Sequence, residues 1–228
     1  MKTMAVVLAM LTLVPPGRSY AQNDLSIEPV KDGLYTILRP GGNAGVLLGP
    51  EGVILVDDRY PEDFTEIQKL VSQVSDLPVM NVLSAQTIVA PERVREYGSR
   101  QPEFQTAVHI GGLDVRAVYV GPGHTNADAV IYFPDLKTVL GGDLLRGTAP
   151  FIDYAHGGSI EDWLDGIDNL LALDFDTAIP KHGAVTDRTD AVRFRNQMEA
   201  VRVHMAELAQ SVISQSEIAD AIKTPQLR

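Results

Sequence analysis

A chain of 228 residues that is 45% hydrophobic can bury one substantial core, and its length does not require a second domain. Its formal charge of −11 disfavours nucleic acid and anionic membranes as partners. With no cysteine, disulfides and a diacyl anchor on a cleavage-site cysteine are both excluded, so stability must come from the core.

Residues 1–21 read as a secretory signal peptide: Lys2, an apolar run over 5–14, then Pro15-Pro16-Gly17 and a small-residue site at Ser19-Tyr20-Ala21. That run is too short to span a bilayer, which needs about 20 apolar residues, and no later segment approaches that length. The reading is therefore an exported protein, periplasmic or secreted, whose mature domain covers 22–228 and begins near Gln22.

From Gly33 onward, short apolar runs alternate with glycine turns: 34–38, Gly41-Gly42, 44–48, Gly49-Pro50-Glu51-Gly52 and 53–56. This spacing predicts three strands in a meander. The third ends on Asp57-Asp58, after which Phe64, Ile67, Leu70 and Val71 share one face of a helix. Two β-rich runs follow at 79–83 and 87–89, separated only by Ser84-Ala85-Gln86, with a short helix over 91–97.

Strands are expected at 113–120, 129–133 and 138–140, the first two joined through Gly121-Pro122-Gly123-His124. Ser159 and Asp162 begin a helix with a capping-box-like pattern, and its apolar positions Trp163, Ile167, Leu170 and Leu171 share one face. A short strand at 177–179 leads into Pro180-Lys181-His182-Gly183. The last long helix carries Phe194, Met198, Val201, Met205 and Leu208 as a stripe expected to be core, and the tail from Ser214 has weak helical character.

Three polar clusters sit where a strand has just ended: Gly123-His124-Thr125, Gly142-Asp143 and Lys181-His182-Gly183. Open α/β sheets place their sites at such ends. Two imidazoles and a carboxylate suit zinc or a similar divalent ion. On spacing alone, His124 and His182 read equally as turn histidines, with Asp143 accepting backbone hydrogen bonds. His156 reads as a loop histidine near the rim; Asp57 reads as support for loop backbone and Asp58 as a solvated carboxylate.

Gly121-Pro122-Gly123-His124-Thr125, Ala129-Val130-Ile131-Tyr132-Phe133-Pro134, Gly142-Asp143-Leu144 and Ile179-Pro180-Lys181-His182-Gly183 stand in the order and context of the metallo-β-lactamase superfamily, which the chain resembles. The resemblance extends to Gly41-Gly42-Asn43-Ala44-Gly45 and Val53-Ile54-Leu55-Val56-Asp57. It implies an α/β fold, the four-layer αββα sandwich, with His124 on a first metal ion, His182 on a second and Asp143 bridging them.

The superfamily's His-x-His-x-Asp-His loop should lie between the strand ending near Ser84 and the one starting near Thr87, where this chain runs straight through Leu83-Ser84-Ala85-Gln86-Thr87. His109, His156 and His204 stand in unrelated contexts. The omission removes ligands from both ions and leaves His124, Asp143 and His182 for one zinc at most. Lys181 also stands where the family commonly has glycine. The resemblance thus implies a hydrolase that activates water on a metal to cleave an ester, thioester, lactone or amide of a small-molecule substrate, and the signal-peptide pattern adds export. The alternative is a catalytically impaired or inactive relative that keeps the fold as a binding module.

Overall fold

Side chains alternate between the two faces of each short strand, and because both faces of the central strands are buried, those faces build the layers. The computed structural model describes residues 25–56, 64–83, 105–110, 113–126, 128–146 and 151–210. Among them, β1 (Ser26–Lys31), β2 (Leu34–Leu38), β3 (Ala44–Leu48), β4 (Val53–Val56) and β5 (Val79–Leu83) form one sheet in chain order. Strands β2 to β4 form the predicted antiparallel meander, β1 adds antiparallel to β2, and β5 lies parallel to β4 after the helix α1 (Phe64–Val71).

The second sheet repeats this plan. Strands β6 (Gln105–Ile110), β7 (Leu113–Tyr119), β8 (Ala129–Phe133) and β9 (Thr138–Leu140) run antiparallel in sequence. The helix α2 (Ile160–Leu171) then carries the chain to β10 (Thr177–Ile179), which lies parallel to β9, and β11 (Thr186–Asp187) closes the edge. Helix α3 (Arg188–Gln210) follows.

Period-two patterning assigns each strand residue to a layer. Leu34, Leu47, Ile54 and Val56 of the first sheet meet Val115, Ala117, Ile131, Phe133, Leu140 and Ile179 of the second, forming the core between the sheets. The opposite face of the first sheet, including Ile37, Val46 and Leu55, packs on Ile67 and Val71 of α1. The opposite face of the second, including Val118, Val130, Val139 and Ala178, packs on Trp163, Ile167 and Leu170 of α2 and on Ala191 and Met198 of α3. The fold is therefore the αββα sandwich.

Two strands escape a reading based on apolar runs. β1 contains Glu28, Pro29 and Lys31 and has a register break between Pro29 and Lys31, a composition tolerated because it is an edge of the described sheet. β6 pairs Ile110 with Leu113, so only Gly111-Gly112, which lie outside the described residues, separate it from β7. The expected strand at 87–89, the helix over 91–97, Asp57 and Asp58, the stretch expected to lack the motif loop, and the signal-peptide segment also lie outside the described residues.

The stripe on the last helix needs correction. Ala191 and Met198 are buried and Phe194 is half-buried, but Val201 is 47% and Met205 60% exposed. Arg195 pairs with Asp168, near the end of α2, so the two helices run side by side there. At 1.5 Å per residue, the 23 residues of α3 span about 34 Å and the 12 of α2 about 18 Å. The longer helix extends beyond α2, its helical neighbour among the described residues. No helix among the described residues is long and apolar enough to cross a membrane.

Candidate functional site

Strand β7 delivers the chain into the loop that carries His124. Gly121 has φ +112°, a conformation that side-chain-bearing residues rarely adopt, so glycine is needed where the strand turns. Thr125 donates to Asp128 through its backbone N–H and through Oγ1, the latter at 2.8 Å. Burial pushes the Asp128 carboxyl above the usual range, while these Thr125 hydrogen bonds pull it back.

The 151–159 segment grips this loop. His124 Nδ1 lies 2.7 Å from the Phe151 carbonyl oxygen. A carbonyl only accepts, so a hydrogen bond here puts the proton on Nδ1 and, in the neutral ring, leaves the Nε2 lone pair unused by this contact. Asp153 N–H donates to the His124 carbonyl at 2.9 Å, and Ser159 N–H to that of Gly123 at 3.0 Å. The ring sits between Phe151 and Trp163, with centroid distances of 5.8 and 6.0 Å.

Parallel pairing of β9 with β10 aligns Leu140 with Ile179 and so brings the following residues side by side. Asp143 occupies a single 3-10 turn after β9, and His182 follows β10. Lys181 N–H donates to the Gly142 and Leu145 carbonyls. Asp143 Oδ1 accepts from the Arg146 guanidinium at 3.0 Å, and His182 Nε2 lies 3.9 Å from the same oxygen, an ion-pair distance too long for a hydrogen bond. Burial holds the His182 imidazole below its ordinary pKa, Arg146 and Lys181 push it further down, and Asp143 opposes them.

A loop of the first sheet clasps this second-sheet ending. Asn43 N–H donates to the Lys181 carbonyl at 2.7 Å, and Asn43 Nδ2 donates to Pro180 and Gly183 carbonyls at 2.8 Å each. Gly42 has φ +120°, and a Cβ there would stand 2.4 Å from Lys181 Cε, so the buried lysine stem packs directly on its backbone. The glycine-rich segment 41–45 is thus a structural clasp, a role that the sequence did not indicate.

Of the three expected ligands, Asp143 and His182 are brought together. His124 is anchored to Phe151, and among the described residues no three His, Cys, Asp or Glu side chains stand together as a group that could hold a metal ion. The donor chemistry points the same way, because Asp143 Oδ1 already accepts from a guanidinium and a second cation, Lys181, flanks His182. The described residues do not fit a family zinc centre.

The other histidines are placed elsewhere. His156 is exposed, 2.7 Å from Asp153 and in the loop environment expected for it; His204 is on exposed α3, 3.9 Å from Glu207; His109 is in β6. Sequence reasoning missed Arg146 and Asn43. A cation three residues after Asp143 was the available signal for the first, since i,i+3 charges meet in a turn; Asn43 had none, because its partners lie across the molecule.

The family model of the metallo-beta-lactamase superfamily matches residues 50–182. A metallo-beta-lactamase type 2 of Bacillus cereus is 22% identical over 175 residues, covering 64% of this chain and 68% of the relative. Among solved structures, a metallo-beta-lactamase from Pontibacter korlensis superposes with TM-score 0.61 at 17% identity, over 77% of this chain and 99% of its own. The metallo-beta-lactamase IND-7 gives TM-score 0.61 at 20% identity, over 78% and 99% respectively. Layers and sequence match agree, and the chain belongs to the metallo-β-lactamase superfamily.

Proposed function

We propose that this chain is a non-hydrolytic member of its superfamily whose strand-end site, at the tips of β7, β9 and β10, serves as a binding module for a small molecule. The observation that carries this reading is the state of Asp143: the carboxylate expected to bridge two ions is paired with Arg146, with His182 beside it and His124 anchored to Phe151. The absence of any His-x-His-x-Asp-His sequence supports it. The test is zinc content of the purified mature protein alongside His124→Ala and Asp143→Ala, with hydrolysis assays on ester, thioester, lactone and β-lactam compounds. Substoichiometric metal, unchanged in the variants, and rates equal to buffer are expected; about one zinc per chain, lost in both variants, would overturn the reading.

One observation favours a hydrolase instead, namely the 2.7 Å approach of His124 Nδ1 to the Phe151 carbonyl oxygen, a hydrogen bond that in a neutral ring leaves Nε2 with a lone pair, and the same zinc measurement decides between the two. Export is part of the proposal, supported by the pattern over residues 1–21. A mature N-terminus near Gln22 in a periplasmic or culture fraction is expected; a retained Met1 would rule export through this segment out.

A further inference from the structure

We propose that Arg146 is a built-in counter-ion that takes the electrostatic place of a metal at Asp143, closing Asp143, Arg146 and His182 into a cluster that is stable without zinc. This rests on the metal-free reading above and deepens it, by naming what stands where an ion would.

The Asp143 side chain is only 19% exposed and that of Arg146 18%. A carboxylate so far removed from water is costly unless a positive charge or strong donors face it. In this chain the charge comes from three residues downstream: Arg146 leaves the turn at 142–144 and returns its NH1 to Oδ1 at 3.0 Å. His182 Nε2, at 3.9 Å from that oxygen, makes no hydrogen bond to it, so of these two groups the guanidinium is the closer.

The placement of Arg146 carries its own cost. Its Nε is buried and has no hydrogen-bond partner among the described residues. A guanidinium free to reach solvent would keep that N–H hydrated. Its attraction to Asp143 offsets this loss, as expected where the pair substitutes for an ion and not where it decorates a surface. The backbone supports the geometry independently, because Lys181 N–H ties both Gly142 and Leu145 carbonyls and so fixes the turn between the two partners.

The experiment is thermal unfolding of the full mature chain, with EDTA and with zinc chloride, for wild type, Arg146→Met, Arg146→Lys, Asp143→Asn and the Asp143→Asn/Arg146→Met double variant. Wild type should melt at one temperature under both conditions. Arg146→Met should melt about 4–8 °C lower, with zinc recovering part of the loss. Arg146→Lys, which keeps the charge, should stay near wild type, and the double variant should be more stable than either of its single components and indifferent to zinc.

Zinc stabilisation of the wild type would overturn both this inference and the functional reading. A wild type indifferent to zinc, with Arg146→Met melting alongside it or with single losses that simply add, would overturn the counter-ion alone. If Arg146→Met does not fold, the comparison with Arg146→Lys decides: a folded lysine variant supports a charge role, and equal failure of both refutes it.

Discussion

Gly158 shows how a single absent side chain positions a candidate site residue. A Cβ at this position would stand 2.2 Å from the His124 carbonyl oxygen, a backbone atom that cannot swing away. Gly158→Ala should therefore displace the His124 loop and lower the unfolding midpoint in urea by more than a surface substitution would, with changed NMR shifts at His124. Trp163 is a second such position. It is fully buried, and its indole N–H donates to the Leu144 carbonyl at 2.9 Å. Trp163→Phe keeps most of the apolar contact but strands that carbonyl, so a loss of roughly 1–3 kcal/mol is expected in denaturant unfolding.

The helices illustrate how far local rules carry at the level of one element. Ser159 caps α2 as its sequence suggested, with Oγ accepting from Asp162 N–H at 3.0 Å, while Glu161 and Asp162 place negative charge in the first turn. Ser159→Ala should cost about 1 kcal/mol, and Ser159→Asp should recover it in the same denaturant titration. Helix α3 shows where periodicity fails. The spacing of Met198, Val201 and Met205 is that of a buried face, yet only Met198 is covered, because α2 is about half as long. Val201→Lys should leave the melting temperature within a degree or so of wild type, whereas the same change at Met198 should unfold the domain.

Across the whole molecule, polar ties join the two sheets at opposite places. Near the site, Asn43 bridges from the 41–45 loop to the Pro180 and Gly183 carbonyls. Asn43→Ala should cost about 2 kcal/mol, one for each hydrogen bond lost, and should broaden His182 resonances before it affects residues of α1. Elsewhere, Lys31 of β1 donates to the Leu136 carbonyl and to Asp176 of the second sheet. The hydrogen bond from Lys31, aided by Thr177, holds the Asp176 carboxyl below its ordinary range. A carboxyl depressed in the folded state contributes stability above its unfolded pKa and loses it as pH falls through the folded value. Asp176→Asn should thus melt slightly below wild type at neutral pH, with the gap closing in acid; a gap independent of pH would contradict this tie.

The strands of the meander, the core faces of α1 and α2, and the three polar strand ends were legible in the sequence, because period-two and period-3.6 patterns and glycine turns are local properties. The motifs around His124, Asp143 and His182 carried the family in the same way. β1 and β6 were not legible: one is a polar edge, and the other is recognised by its pairing with β7. The site divided along the same line. Sequence alone determined which residue types stand at the strand ends and that the His-x-His-x-Asp-His segment is missing. Only tertiary structure decided that His182 lies beside the local Asp143–Arg146 pair, and that Asn43 fastens the His182 loop from across the sandwich. The contacts of His182 and Asn43 arise from parallel pairing and loop packing, and no local pattern encodes a distance between chain segments far apart in sequence.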